Sequence, residues 1–464
     1  SLLEDKLRVV KDEQSAWEQI ALETDQARVE LERKFAQVQE VSKAQTPAVH
    51  NALLQAAQVA SGKVELDEAA TRKIIDAQLI DAGWTADTVN LRFAKGARPQ
   101  RGRNLAISEW PTANGPADYV LFIGLRPVAV VEAKKKHLDV SAKVSQAERY
   151  SKGFAITADM EAPGGPWTEN GHTWFVPFCF ATNGRPFIRQ IQQKSGIWWR
   201  DSRHATNQAR ALESWYTPEG LARLLEHDPK QADQDLSTNP PDLPLRDYQI
   251  EAIKAVEDAI VSGQRNVLVA MATGTGKTKT CVGLLHRLLR TDRFRRILFL
   301  VDRNSLGSQA NESFQETRLE GLSTFGEMFD VKCVDAQEPD PSTRVHIATV
   351  QGMVKRMLYA PDGAAPIPVD RYDCVVIDEC HRGYVLDREL NDAELEYANL
   401  DEYLAKYSQV LDRFDAVLVG LTATPALHTV EIFGSPVYTY TYRQAVVDGW
   451  LVDHEPPFQI KTAL

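Results

Sequence analysis

The stretch from Val267 to Thr278 constrains the fold more than any other part of the chain. It reads V-L-V-A-M-A-T-G-T-G-K-T, an apolar run followed by a glycine-rich turn. A β-strand that leads through such a turn into a helix is the layout of a phosphate-binding loop, whose backbone N–H groups contact phosphate oxygens. The pattern therefore predicts an α/β fold that binds a nucleoside triphosphate. A chance glycine turn between a strand and a helix is the alternative.

The glycine loop, residues 272–278, carries the residues expected to bind the nucleotide. Its lysine is expected to reach the β and γ phosphates, and the threonine that follows is expected to ligate Mg²⁺. Met271 stands where the general pattern has glycine, five residues before Gly276. The predicted ATP-binding residues are Thr273, Gly274, Thr275, Gly276, Lys277 and Thr278, of which Thr278 is also a predicted metal ligand.

A second apolar run, Cys374 to Ile377, leads directly into Asp378 and Glu379. Near a phosphate-binding loop, the first of two acidic residues at a strand end can hold Mg²⁺, and the second can orient the attacking water. We therefore predict Asp378 as a metal and nucleotide ligand and Glu379 as a catalytic residue. For this tetrapeptide alone, a solvated acidic turn is the alternative.

Apolar runs recur along the second half of the chain and alternate with helical segments, the first of which is Tyr248 to Val261. Such alternation specifies a parallel sheet covered by helices on both faces. The predicted strands lie at residues 267–270, 297–301, 345–350, 374–377 and 416–421.

These motifs resemble those of superfamily 2 helicases and translocases. The sequences D-E-C-H (378–381) and L-T-A-T-P (421–425) are similar to motifs II and III, and the glycine loop with Met271 is similar to the relaxed loop of that group. The sequence L-R-D-Y-Q (245–249) resembles the adenine-reading motif, which implies Gln249 as the base contact.

The same resemblance implies roles in DNA binding. Arg303 and Thr349–Gly352 stand where the family contacts the DNA backbone, and Thr422 and Thr424 stand where it couples nucleotide state to DNA grip. A superfamily 2 motor also needs a second RecA-like lobe with arginine fingers, and few residues follow the last of these motifs. We therefore expect this chain to be a fragment that, alone, binds ATP weakly and hydrolyses it poorly.

A second group of chemically active residues lies in the first half. Two apolar runs, Tyr119–Ile123 and Val128–Val131, are joined through Gly124 as in a hairpin. Residues two apart on a strand share a face, so Glu132 and Lys134 point together, and the hairpin brings Asp118 beside them. Two carboxylates and an ammonium on one face can hold Mg²⁺, with Asp118 and Glu132 as ligands.

The motifs P-A-D (116–118) and E-A-K (132–134) resemble the core of PD-(D/E)xK nucleases. Gln146 and Tyr150 follow at the Q-x-x-x-Y spacing of a subclass of these enzymes, one helical turn apart. Glu68 stands where the family often has an acidic residue on a preceding helix. The resemblance implies that the catalytic residues are Asp118, Glu132, Lys134, Gln146, Tyr150 and Glu68.

Two further features leave alternatives open. A basic stretch could follow DNA phosphates, but a solvated linker explains it equally well. Ile197, Trp198 and Trp199 could stack on bases, although buried packing is favoured. The basic residues are Arg92, Lys95, Arg98, Arg101 and Arg103.

Composition and the positions of glycine and proline predict the remaining helices, strands and domain boundaries. Residues 1–45 lack glycine and proline and predict a long amphipathic helix, packed on its own protein rather than on a coiled-coil partner. A helix is predicted over residues 66–82, with Ile74, Ile75, Leu79 and Ile80 on one side, and strands over 175–181 and 187–191. The predicted units are a helical segment (1–58), an endonuclease domain (59–205), a linker (206–240) and a RecA-like lobe (241–464).

Whole-chain properties limit the class of protein. The formal net charge is −11, so DNA contacts would need locally clustered cations. The five cysteines are scattered without the spacing of a zinc site, which favours a reducing compartment. With no signal peptide and no bilayer-length apolar stretch, we expect a cytoplasmic protein.

A nuclease domain followed by a superfamily 2 motor resembles the restriction (R) subunit of type I restriction-modification enzymes. The sequences D-E-C-H-R-G-Y (378–384), Y-R-Q-A (442–445) and D-G-W-L (448–451) support this resemblance. It implies a subunit that docks on modification and specificity subunits, translocates double-stranded DNA with ATP and Mg²⁺, and cuts at non-specific sites. Two alternatives to this interpretation remain. One is a stand-alone helicase-nuclease of DNA repair or phage defence, which shares every motif, and the other is an ATP-gated DNA-binding module without cleavage.

Overall fold

The computed structural model describes residues 70–134, 139–227, 229–239, 241–301, 304–320, 323–333, 342–358, 367–378, 380, 408–425 and 427–453. The predicted N-terminal helix, Glu68, Arg303, Glu379 and His381 lie outside the described residues. Among the helices that are described, none is long and apolar enough to cross a membrane.

The first half of the described chain forms a mixed sheet, the first sheet, with strand order β1-β2-β3-β4-β7-β8-β9. Strands β5 and β6 form a separate hairpin. In chain order the strands are β1 Thr85–Ala86, β2 Asn104–Trp110, β3 Ala117–Ile123, β4 Arg126–Ala133, β5 Trp167–Glu169, β6 His172–Trp174, β7 Phe178–Thr182, β8 Ile197–Asp201 and β9 Arg210–Leu212. The helices of this half are α1 (residues 70–81), α2 Val144–Lys152, α3 Pro218–Glu226 and α4 Pro229–Thr238.

The predicted hairpin is confirmed. Strands β3 and β4 pair antiparallel, with Ile123 opposite Arg126, and Gly124 takes the left-handed φ of 60° that the tight turn requires. Strand β7, Phe178–Thr182, overlaps the strand predicted over residues 175–181. Strand β8 buries Ile197 and Trp199, as the packing interpretation expected.

Other local predictions are corrected. No strand forms over residues 187–191, because Arg189–Lys194 is a 3₁₀ helix whose sequence, R-Q-I-Q-Q-K, offers a sheet no apolar face. Helix α1 buries Ile75 and Leu79, but Ile80 is 53% exposed and so does not belong to its packed side.

The interval 206–240, predicted as a linker, is folded. Strand β9 pairs with β8 at the edge of the first sheet. Thr217 caps α3 by accepting a hydrogen bond from the Gly220 N–H at 2.9 Å, and Pro218 stands at the first helical position. The polar composition of this interval therefore marks exposed helices rather than irregular chain.

The second half forms the second sheet, which is entirely parallel, with strand order β14-β15-β11-β16-β17-β10-β18. Its strands, with the separate pair β12 and β13, are β10 Asn266–Met271, β11 Ile297–Val301, β12 Arg318–Glu320, β13 Ser323–Thr324, β14 Val331–Cys333, β15 Val345–Thr349, β16 Cys374–Ile377, β17 Val417–Thr422 and β18 Tyr438–Tyr440. The helices are α5 Asp247–Val261, α6 Lys277–Arg290, α7 Asn304–Glu316, α8 Phe325–Met328, α9 Val350–Leu358, α10 (residues 408–413), α11 Leu427–Phe433 and α12 Tyr442–Val447.

All five predicted strands of this sheet are confirmed. Alternate residues of one strand enter different core layers, as Val267 and Leu268 of β10 do. Helices α5 and α6 contribute to the layer that contains Val267, whereas α9 and α10 contribute to the other. A strand buried on both faces reads as a continuous apolar run, which explains why these strands were predictable.

Candidate nucleotide and nuclease sites

The glycine loop connects β10 to α6 in a conformation that depends on its glycines. Gly274 and Gly276 have φ angles of 85° and 81°, a region that other residues rarely adopt. A Cβ atom on Gly276 would lie 2.7 Å from Gln249 Nε2. The loop thus presents the N-terminus of α6, beginning at Lys277, to the space beyond the sheet.

Gln249 and Tyr248 form side-chain hydrogen bonds to the backbone of the glycine loop. The Gln249 amide Nε2 donates to the carbonyl oxygens of Thr275 and Gly276, each at 3.2 Å, and its Oε1 accepts from the Arg246 N–H at 3.1 Å. The Tyr248 hydroxyl donates to the Thr275 carbonyl at 2.7 Å. Through these bonds the L-R-D-Y-Q motif stabilises the conformation of the glycine loop. The contact of Gln249 with adenine stays a prediction.

Two aromatic residues near the C-terminal end of the described chain extend this arrangement: Trp450, within the D-G-W-L sequence noted above, and Tyr440, which the sequence patterns did not single out. Tyr440, at the end of β18, stacks on Tyr248 with ring centroids 4.1 Å apart. The Arg246 guanidinium lies 3.9 Å from the centroid of Trp450. Since β18 pairs with β10, sheet topology brings them to the motif.

The other motor motifs lie at the same edge of the second sheet as the glycine loop. Strand register pairs Ala270 with Thr422 and Ile377 with Gly420, so the carboxyl ends of β10, β16 and β17 lie together. Asp378 follows β16 and donates its N–H to the Leu300 carbonyl at 3.0 Å. Ligands of parallel α/β sheets bind at this edge.

Two threonine hydroxyls hold the turns that follow their strands. Thr422 Oγ1 accepts from the Thr424 N–H at 3.2 Å, and Thr349 Oγ1 accepts from the Gly352 N–H at 3.0 Å. Both residues are buried. Their predicted roles toward DNA remain predictions.

Three of the nuclease-like residues, Asp118, Glu132 and Lys134, lie close together where β3 and β4 pair. Lys134 Nζ contacts Glu132 Oε1 in an ion pair. Asp118 Oδ2 accepts from the Ala133 N–H at 2.8 Å, which fixes the carboxylate against β4. The site therefore places two carboxylates and an ammonium within one short stretch of paired strands.

The electrostatics of this group fit a cation ligand set. Burial, and then the charge of Glu132, raise the pKa of Asp118 to about 6, against the opposing effect of Arg72. Glu132 is 1% exposed, and its Oε2 atom is buried with no hydrogen-bond partner. A divalent cation would satisfy that oxygen. Within the described part of the chain, no cluster of three or more histidine, cysteine, aspartate or glutamate residues forms a metal site.

Gln146 and Tyr150 lie on one face of α2, and the Gln146 amide donates to the Tyr150 hydroxyl at 2.9 Å. Burial raises the pKa of Tyr150 to about 12, the Gln146 hydrogen bond opposes this, and the carboxylates of Glu132 and Asp118 add to it. The pair thus borders the carboxylates, and the hydroxyl stays protonated at neutral pH.

Arg72 and Glu109 also belong to this site, although the sequence did not reveal them. Arg72 Nη2 donates to Asp118 Oδ1 at 2.9 Å, and its Nη1 donates to Glu109 Oε1 at 3.3 Å. Arg72 lies on α1, four residues after Glu68. That spacing was the available signal, since residues four apart share a helix face.

The basic stretch is partly engaged with the protein. Arg92 binds Glu109, its Nε lying 2.6 Å from Oε2, and Arg98 lies 3.9 Å from the centroid of the Phe93 ring. Lys95 and Arg101 are exposed. For the exposed cations, both the phosphate-binding and the solvated-linker interpretations stand.

Two family models match the chain. One, described as the second domain of the type I restriction enzyme EcoKI endonuclease subunit, matches residues 85–225. The other, described as the res subunit of type III restriction enzymes, matches residues 242–427. The chain is 48% identical to the EcoKI endonuclease subunit of Escherichia coli K12 over 86% of its own length. It belongs to the family of type I restriction enzyme endonuclease subunits.

Two further similar proteins share less sequence identity with this chain. The EcoAI endonuclease subunit of Escherichia coli is 29% identical over 82% of this chain. A solved fragment attributed to the HsdR subunit of a type I restriction enzyme from Vibrio vulnificus YJ016 covers 82% of this chain and 61% of that one, with 23% identity and a TM-score of 0.33. The chain spans only 36% of the EcoKI subunit and 42% of the EcoAI subunit. The predicted α/β class, a nuclease-like domain followed by a RecA-like lobe, is confirmed.

Proposed function

We propose that this chain couples ATP-driven translocation of double-stranded DNA to non-specific DNA cleavage, as part of the R subunit of a type I restriction enzyme. One observation carries the proposal: a phosphate-binding loop and a nuclease-like carboxylate cluster stand on two sheets of one chain that belongs to this family. Neither site alone would account for an enzyme that moves DNA and cuts it.

At the second sheet, the glycine loop would bind the phosphates of ATP. Lys277 would reach the β and γ phosphates, and Thr278 with Asp378 would hold Mg²⁺. Glu379 would orient the attacking water. The edge position of these strands supports this assignment, since the loop, Asp378 and Thr422 lie where parallel sheets bind ligands.

At the first sheet, Asp118 and Glu132 would hold a divalent cation, which supplies charge stabilisation and an activated water for phosphodiester hydrolysis. The ammonium of Lys134 would stabilise the charge that develops on the phosphate. Gln146 and Tyr150 would orient the DNA beside the carboxylates through their amide and hydroxyl groups. The buried, unpartnered Oε2 of Glu132 supports the cation assignment.

The remaining parts of the reaction would come from partner proteins. Modification and specificity subunits would carry the methyl donor and read the target sequence, and this chain would act on the DNA that they deliver. We place the complex in the cytoplasm. Co-purification of the native protein with a methyltransferase tests the assembly, and a native complex that lacks one would support the stand-alone helicase-nuclease instead.

The catalytic proposal is tested in the reconstituted restriction complex with two variants. Asp118→Ala should abolish DNA cleavage while ATP hydrolysis persists, because the carboxylate belongs to the nuclease site only. Lys277→Ala should abolish both activities, since cleavage depends on translocation. If Asp118→Ala cuts DNA at the wild-type rate, the nuclease site is assigned wrongly.

A further inference from the structure

Glu109 lies opposite the predicted catalytic aspartate. Strand β2 pairs with β3 so that Ser108 is opposite Tyr119 and Trp110 is opposite Ala117, and Glu109 and Asp118 are the residues between these two pairs. Opposed side chains of an antiparallel pair share a face, and like charges there repel each other. Two facing carboxylates therefore need a cation between them.

Glu109 adopts an unusual backbone conformation at this point. Its φ angle is 52°, in the left-handed region, within a strand whose neighbouring residues pair regularly. The left-handed region is unfavourable for a glutamate backbone, so contacts with the surrounding structure must stabilise this conformation. Those contacts are ion pairs: Glu109 accepts hydrogen bonds from both Arg72 and Arg92.

Arg72 bridges the two carboxylates. Its Nη2 lies 2.9 Å from Asp118 Oδ1 and its Nη1 lies 3.3 Å from Glu109 Oε1. The Arg72 side chain is 15% exposed, and those of Asp118 and Glu109 are 19% and 29% exposed. The planar guanidinium can donate to both partners at once, which a lysine ammonium does with less geometric definition.

The bridge places a positive charge on one of the two oxygens that a cation could use. Asp118 Oδ2 accepts from the backbone Ala133 N–H and Oδ1 accepts from Arg72, so a metal ion that approaches Oδ1 meets the Arg72 guanidinium there. A divalent cation and the Arg72 guanidinium therefore compete for the negative charge of the same Asp118 oxygen. Glu109 offers Arg72 a second carboxylate on the side away from Glu132.

We propose that Arg72 is a positioning residue that neutralises Asp118 before cation binding, and that Glu109 retains the Arg72 guanidinium when a divalent cation takes Asp118 Oδ1. Arg92, bound to the same carboxylate, orients Glu109. The inference rests on the proposed nuclease site and adds a residue pair that sets its cation affinity.

The test is Mn²⁺ binding to the metal-free full-length protein, followed by electron paramagnetic resonance without DNA or nucleotide. The nuclease-site component is the part lost in Asp118→Asn. Arg72→Gln should tighten it by about fivefold, because a competing cation is removed, and Glu109→Gln should weaken it by about fivefold. A merely structural role would make both variants weaken binding.

The double variant distinguishes two ways in which Glu109 could affect cation binding: by retaining the Arg72 guanidinium, or by the direct attraction of its own charge for the cation. If Glu109 acts through Arg72, then Glu109→Gln should change the affinity little once Arg72→Gln is present. If it acts through its own charge, the weakening should persist in that background, and the inference is wrong. Weaker binding in Arg72→Gln alone would also overturn it. Should Arg72→Gln unfold, the same cycle with Arg72→Met applies, since methionine also removes the charge and keeps an unbranched side chain.

A matched control comes from the same hairpin. Arg126 and Glu161 pair at 3.7 Å on the exposed surface, so Arg126→Gln and Glu161→Gln remove the same charges away from the site and should leave Mn²⁺ affinity unchanged. If Asp118→Asn removes no Mn²⁺ from the wild-type protein, the proposed nuclease site itself fails, and this inference fails with it. That outcome differs from a wrong sign in the Arg72 and Glu109 variants.

Discussion

Arg210 donates two hydrogen bonds to Asp415, from Nε to Oδ1 at 2.6 Å and from Nη2 to Oδ2 at 2.7 Å, and so joins the first sheet to the second. Arg265 Nη2 donates to Asp415 at 2.7 Å, and Tyr216 also contacts this carboxylate. Burial alone would raise the pKa of Asp415, but Arg210 and Arg265 hold it well below its usual range. The carboxylate stays ionised and fixes the nuclease-like domain to the motor lobe.

Asp415→Asn should lower the free energy of unfolding by about 3 kcal/mol, because it removes the buried charge that pairs with the partly exposed Arg210 and Arg265. The Asp415 side chain is only 2% exposed. Urea denaturation measures the change. As control, Glu219→Gln removes a carboxylate that is 77% exposed and paired with Arg223, and should cost less than about 1 kcal/mol. Equal effects of the two substitutions would contradict a buried junction.

Gly276→Ala should weaken nucleotide binding, because its φ is 81° and the added Cβ, 2.7 Å from Gln249 Nε2, would displace the amide that bonds to the loop. Gly263→Ala is the matched control, since that glycine has a φ of 90° but nothing within 4 Å of an added Cβ. Fluorescent ATP-analogue titration should show wild-type affinity for the control. Comparable losses in both variants would indicate a general loss of folding stability and would contradict an effect specific to the glycine loop.

Gln249→Ala should weaken the binding of ATP and GTP to different extents if Gln249 reads adenine, as the motif predicts. Its hydrogen bonds to Thr275 and Gly276 suggest an additional, base-independent loss, since the loop would relax. Competition titrations with ATP, GTP and inorganic triphosphate separate the two contributions. An equal loss for all three ligands would assign Gln249 to loop support only.

Cation binding at the nuclease site should weaken as the pH falls below about 6, the value to which burial, and then Glu132, raise the pKa of Asp118. A protonated carboxyl does not hold a divalent cation. The stability of the folded state changes in the opposite direction. Because the pKa of Asp118 is raised on folding, its contribution to the free energy of unfolding is lost as the pH rises from 3.8 through about 6. Mn²⁺ titration at pH 5 should give about tenfold weaker binding than at pH 8. A pH-independent affinity would contradict this.

The parts of the fold that were predictable depend on local pattern. Buried parallel strands such as Val417–Thr422 read as apolar runs, and the glycine loop needs its glycines for backbone reasons. The strand and helices within the interval 206–240 were not predicted, because a polar composition is shared by linkers and by helices that bury only one face. Ile80 was misplaced because helix periodicity gives the stripe but not its width.

The parts of the site that were missed depend on tertiary pairing. Asp118, Glu132 and Lys134 carry a recognisable spacing, and the hairpin between β3 and β4 brings them together. Arg72 reaches Asp118 across 46 residues, and Arg210 reaches Asp415 across 205. The spacing of Arg72 from Glu68 predicts a shared helix face but not its partner Asp118, and the partner of Arg210, at the junction between the two sheets, is likewise identified only from the assembled fold.

The central claim is that the motor lobe delivers DNA to the carboxylates of the first sheet. Displacement of a triplex-forming strand downstream of the target sequence, measured in the reconstituted complex, tests it most directly. With Asp118→Ala, ATP should drive displacement at the wild-type rate while the DNA stays intact, and with Lys277→Ala neither displacement nor cleavage should occur. DNA cleavage by the Lys277→Ala complex, in the absence of displacement, would contradict the account.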